Sequence, residues 1–156
     1  MKKAVLATIL IFLTFIACAD KTSQISESKD LPGKSTSESG APRQGMTIGQ
    51  AIYGNQLNYF AQKDLEGLVR NNYTEDAVLT MFDYQARGRD ALRKHFRGFF
   101  EVAGDIKLKS TDRFVETKDT VLLEATLETT KLGQVRFIDA FVIRGDKIAY
   151  QFTIMK

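Results

Sequence analysis

Near Asp105 the spacing of apolar residues changes from helical to alternating, and this change confines the chain to a mixed architecture. Upstream, Ile48, Ile52, Tyr53, Leu57 and Phe60 recur at three- to five-residue intervals, the period of one buried helix face. Downstream, Val121, Leu123, Ala125 and Leu127 alternate with Glu124, Thr126 and Glu128, the period of a strand with one face covered. A chain that begins helical and ends as a run of short strands predicts an α+β domain, three helices covering the apolar face of an antiparallel meander.

The punctuation supports this division. Thr47-Ile48-Gly49-Gln50 reads as a capping box opening the first helix through about Gln62. Asp64 caps a shorter helix with Leu65, Leu68 and Val69 inward, ended by Asn71-Asn72. Ala77 to Met81 is β-prone, and Gly88-Arg89-Asp90 opens a third helix striped with Leu92, Phe96, Phe99 and Phe100. Beyond it, Phe114-Val115 marks one strand, Lys118-Asp119 and Leu132-Gly133 mark turns, and Gly145-Asp146 is a two-residue hairpin signal. Residues Ile148, Tyr150, Phe152 and Ile154 then continue the period of two.

The chain starts differently. Met1-Lys2-Lys3 is followed by an uncharged run, Ala4 to Ala17, in which only Thr8 and Thr14 are polar. As a helix rising about 1.5 Å per residue it reaches roughly 21 Å, short of the roughly 30 Å hydrocarbon core, so it reads as an export signal and not a lasting span. Between Ala19 and Gln44 lie six serines, two glycines and both prolines of the protein, with Ile25 and Leu31 the only large apolar side chains. That stretch cannot bury enough surface to offset chain entropy and is expected to be a tether. The divisions are therefore 1–17, 18–45 and 46–156.

Phe15-Ile16-Ala17-Cys18 resembles the lipobox of bacterial lipoproteins, which implies lipid on Cys18, a membrane as partner, and a domain held in the cell envelope outside the cytoplasm. Cys18 is the only cysteine, so neither a disulfide nor a catalytic thiolate is available to the domain. His95, the sole histidine, has no partners at ligand spacing, and neither a metal nor another cofactor is expected. Nucleic acid is not an expected partner either. The formal charge of +3 falls to +1 without Lys2 and Lys3 (20 against 19), and the basic stretch from Arg87 to Arg97 reads as a solvated helix face. Arg144-Gly145-Asp146 is accounted for by its hairpin.

In order, Gln62-Lys63-Asp64-Leu65-Glu66-Gly67-Leu68, Tyr73-Thr74-Glu75-Asp76-Ala77-Val78, Gly88-Arg89-Asp90-Ala91-Leu92 and Gly145-Asp146-Lys147-Ile148 resemble motifs of the nuclear-transport-factor-two-like family. SnoaL-like polyketide cyclases and ketosteroid isomerases are among its members. The resemblance spans about residues 46 to 156 and implies a strongly bent antiparallel sheet wrapped around a long helix, a cone open at its wide end on a pocket.

Asp139 is the candidate with most to explain, because alternation puts it on one face with Val135, Phe137, Phe141 and Ile143. Arg136, Tyr53 or a backbone amide could pair with it there. By resemblance it falls where ketosteroid isomerases hold a protonated aspartic acid, and a catalytic set would need Asp83, since the position of the family's base falls near Met81. The family's helix-one tyrosine falls near Leu57, with Tyr53 one turn earlier. The expected pocket is therefore Tyr53, Leu57, Met81, Phe96, Phe137 and Phe141, with Asp139 as its polar point and a small apolar or amphipathic molecule as ligand. An isomerase, cyclase or hydratase activity is the alternative. A further one is a homodimer, since the family commonly pairs through the outer sheet face, where Arg136, Ile138, Ala140 and Val142 alternate outward.

Overall fold

The computed structural model describes residues 45–82 and 84–156. The leader, the tether and Cys18 lie outside the described residues, as does Asp83.

Helix α1 (Ile48–Gln62) starts as the capping box requires: Thr47 Oγ1 accepts from the Gln50 amide at 3.2 Å, and Gln50 Oε1 accepts from the Thr47 amide at 3.0 Å. It stops at Lys63, which turns left-handed (φ 54°). One residue on, Asp64 caps α2 (Leu65–Asn72) by accepting from the Gly67 amide at 2.8 Å. Strand β1 (Tyr73–Met81) follows without a loop, four residues longer than the β-prone run predicted. A short strand β2 (Tyr84–Arg87), unmarked by any alternation in sequence, turns back along it before α3 (Gly88–Ala103).

The remaining strands are β3 (Ile106–Glu116), β4 (Thr120–Thr129), β5 (Gly133–Arg144) and β6 (Lys147–Met155). They form the expected antiparallel meander, and the six strands make one sheet in the order β2-β1-β6-β5-β4-β3. The sheet is mixed and open. β1 lies parallel to β6, a pairing the helices make possible by carrying the chain across the sheet, so the expectation of a wholly antiparallel sheet holds for every pair but this one.

One face of the sheet packs on the helices around Leu68, Leu79, Leu92, Val121, Phe141 and Ile148. At Gly49 α1 lies close against the sheet: its amide donates to Glu116 Oε1 at 2.9 Å, and a Cβ there would meet Val121 Cγ2 at 2.5 Å. On the solvent side of α2 and α3, Arg93 binds both carboxylate oxygens of Glu66 at 2.9 and 3.1 Å and reaches Asp90 at 2.7 Å, so part of the basic stretch is ion-paired helix surface.

Strand β6 does not follow its apparent alternation. The hairpin at Gly145-Asp146 pairs Arg144 with Lys147 and Ile143 with Ile148, and then the register slips so that Val142 meets Tyr150. Ala149 is the extra residue of this bulge. One added residue reverses every side chain beyond it. Ile148 is buried, but Tyr150 and Phe152 are 52% and 44% exposed on the outer face, and Gln151 and Thr153 turn inward. Read as an uninterrupted strand, Ile148, Tyr150, Phe152 and Ile154 would share a face; the bulge divides them.

Candidate functional site

The register across β3, β4, β5 and β6 builds the site. Phe114 pairs with Leu123, Leu123 with Asp139, and Asp139 with Thr153, forming one band of inward side chains. Helix α1 crosses above it: the Tyr53 ring packs at 6.0 Å from that of Phe114, and its hydroxyl lies 2.8 Å from Thr111 Oγ1.

Asp139 is buried at 8% exposure, and its partners are not those expected from sequence. Thr153 Oγ1 donates to Oδ1 at 2.5 Å and Gln151 Nε2 donates to the same oxygen at 3.1 Å. Arg136 points to the outer face and binds Glu124 at 2.5 Å, and Tyr53 is engaged with Thr111. Among the described residues Oδ2 takes no hydrogen bond. Burial raises the carboxyl to about 6, against the opposing effect of the Thr153 and Gln151 hydrogen bonds. The group therefore changes charge close to neutrality, and when protonated it holds its proton most readily on Oδ2, the oxygen not already accepting two donors.

Two tyrosines face this carboxyl. Burial raises Tyr73 well above the ordinary phenol range, and the nearby Asp139 charge adds to the effect. Tyr53 is also raised by burial, with the hydrogen bond to Thr111 opposing and Asp139 and Asp112 reinforcing. Both are neutral hydroxyls at physiological pH.

The structure gathers the other expected pocket residues into one cluster: Met81, Phe96, Phe137 and Phe141 belong to the core, with Tyr53 and Leu57 packed against it. They are not equally open. Asp139, Met81 and Phe137 keep 8–9% of their surface accessible, whereas Phe96 keeps 3% and Phe141 none. Much of the cone interior is filled by rings: Phe60 packs on Phe96, Phe99 and Phe100, and Phe99 stands edge-on to Phe137 at 5.9 Å. The little surface left accessible at the site therefore lies at Asp139, Phe137 and Met81 and not at Phe141.

His95 is half-buried, stacked on Tyr84 at 5.4 Å and edge-on to Phe96. Burial lowers it to about 4, so it is neutral at pH 7. No cluster of acidic, histidine or cysteine side chains among the described residues could hold a metal ion.

Sequence reading missed Gln151, Thr153 and Tyr73. The available signal was the polar pair Gln151 and Thr153 on a strand opposite Asp139, but using it required the bulge at Ala149, which no residue type announces.

The SnoaL-like domain family model matches residues 55–151. No curated protein matches the chain. Among solved structures, an NTF2-like protein from Anabaena variabilis superposes with a TM-score of 0.62 at 21% identity, over 70% of this chain and 87% of that one. A candidate polyketide cyclase from Sinorhizobium meliloti gives 0.58 at 17% identity, over 66% and 93%. A hypothetical protein with a ketosteroid isomerase-like fold from Catenulispora acidiphila, in complex with trimethylamine, gives 0.58 at 13% identity, over 66% and 83%. At these identities the likeness is one of fold.

Proposed function

The chain belongs to the SnoaL-like domain family, and on that footing we propose that its domain binds a small, largely apolar molecule carrying one polar group, held at Asp139. The observation that carries the reading is a buried carboxyl whose Oδ1 is occupied by Thr153 and Gln151 while Oδ2 remains open, in a band walled by Phe114, Leu123 and Tyr53. Apolar walls with one or two fixed polar atoms are the usual composition of a small-molecule site. Binding is better supported than acid–base catalysis because the position where the resemblance puts a base is Met81, whose thioether takes no proton at working pH. The domain would act outside the cytoplasm, anchored through lipid on Cys18.

The test uses 2-naphthol, an apolar ring system with one hydroxyl. Its fluorescence should change saturably on adding the protein, and Asp139→Leu should weaken the affinity about tenfold, the value of one buried hydrogen bond to a polar group. A wild-type protein with no saturable response up to millimolar 2-naphthol would remove the proposal.

A second reading rests on the outer sheet face, where Leu122, Val142, Tyr150 and Phe152 are 38–52% exposed on neighbouring strands. A contiguous apolar patch of this kind is what a second copy of the chain would cover.

A further inference from the structure

A line of buried polar groups crosses the core from α1 to the Asp139 carboxyl, and all its donors point one way. Gln56 Nε2 donates to the Tyr73 hydroxyl at 3.4 Å, and that hydroxyl donates to Gln151 Oε1 at 2.5 Å. Gln151 Nε2 then donates to Thr153 Oγ1 at 3.0 Å and to Asp139 Oδ1 at 3.1 Å, and Thr153 Oγ1 donates to the same Oδ1 at 2.5 Å. Each of these side chains is more than nine-tenths buried. We propose that Gln151 is the positioning residue of the Asp139 site: held in one amide orientation by the Tyr73 hydroxyl, it commits Oδ1 to two donors and leaves Oδ2 as the single oxygen that meets a ligand.

The reason lies in the symmetry of a glutamine amide. Turned over, Gln151 would set its oxygen against Asp139 Oδ1, acceptor against acceptor, and the carboxyl would have to bring its proton to that side. Tyr73 opposes the turn, because a turned amide would put an N–H in place of the oxygen that takes its proton. Its phenol has one proton to give, and the nearby Gln56 amide supplies an N–H to its oxygen, so the proton goes to Gln151 Oε1. The information about which Asp139 oxygen faces the ligand is thus stored two residues away, in a hydroxyl that makes no hydrogen bond to the carboxyl. Among the described residues the titratable groups facing Asp139 are Tyr53 from α1 and Tyr73 from β1, both neutral through the range in which the carboxyl titrates.

This inference rests on the reading of Asp139 as a ligand anchor, but its test needs no ligand. The carboxyl carbon of Asp139 is followed by NMR against pH in the intact protein. Gln151→Met, which keeps the volume and removes the donor, should raise the midpoint by about one unit. Tyr73→Phe, which keeps the ring and frees the amide to turn, should raise it by about half a unit. Thr153→Ser, which retains the hydroxyl, should leave it in place. A Tyr73→Phe protein with the wild-type midpoint, whether or not Gln151→Met shifts it, would overturn the proposal. Shifted midpoints together with absent 2-naphthol binding would instead count against the ligand reading alone.

Discussion

Asp139, which is buried, and His95, which is half-buried, are titratable groups with opposite effects on stability. Asp139 has its carboxyl raised from 3.8 to about 6 in the folded protein, so the folded state binds the proton more tightly. Its contribution is full below about 3.8 and is lost as pH rises through about 6. Asp139→Asn, which keeps an acceptor for Thr153 and Gln151 and can carry no charge, should therefore raise the melting temperature at pH 8, by the equivalent of about 3 kcal/mol at most. The gain should vanish at pH 3.5; equal gains at both pH values would show that charge burial is not the cause. His95 runs the other way. Its folded value of about 4 lies below the ordinary 6.5, so the stability it carries is present above 6.5 and lost as pH falls through 4. His95→Phe should flatten the acid side of the melting-temperature profile, and an unchanged acid slope would show that His95 is not its source.

At the scale of elements, β6 decides the chemistry of the site. Deleting Ala149 would take out the one residue of β6 that has no partner on β5, so Val142 would still meet Tyr150, Thr153 would stay opposite Asp139, and Gln151 and Thr153 would stay inward. The deletion is therefore expected to keep the site and to cost on the order of 1 kcal/mol for the buried Ala149 methyl. Thermal melting with amide exchange across β5 and β6 reads this out, and lost protection from Tyr150 onward would show that the bulge itself holds the register. The helix ends, by contrast, were legible from residue types. Thr47-Ile48-Gly49-Gln50 and Asp64 state their caps because a cap is a local hydrogen bond between residues three apart, and Thr47→Ala should lower stability by about 1 kcal/mol. Strand β2 was not legible: four residues between a turn and a helix carry too little alternation to announce pairing that β1 supplies.

For the molecule as a whole, the two sheet faces suggest separate roles. The inner face holds the carboxyl and its polar line. The outer face carries a row of Val115, Leu122, Ala140 and Phe152 in register across four strands. If a second copy covers that row, sedimentation at micromolar concentration should give a dimer that Phe152→Glu dissociates while the melting temperature changes little. A wild-type monomer under those conditions would leave the face without a partner. Anchoring is tested in the same whole-protein frame: metabolic labelling with an alkyne fatty acid should mark the wild-type chain and not Cys18→Ser.

The change of apolar period near Asp105, the caps and the hairpin glycines determined the three helices, the closing meander and the α+β class, because helix and strand periods are consequences of local backbone geometry. Alternation also put Asp139 on the covered face of its strand. What tertiary structure alone decided was its company: a one-residue slip in β6, the parallel seating of β1, and the packing that turns Tyr73 toward Gln151. These depend on which strands meet and in what register, quantities settled by burial across the whole sheet and carried by no short stretch of residues.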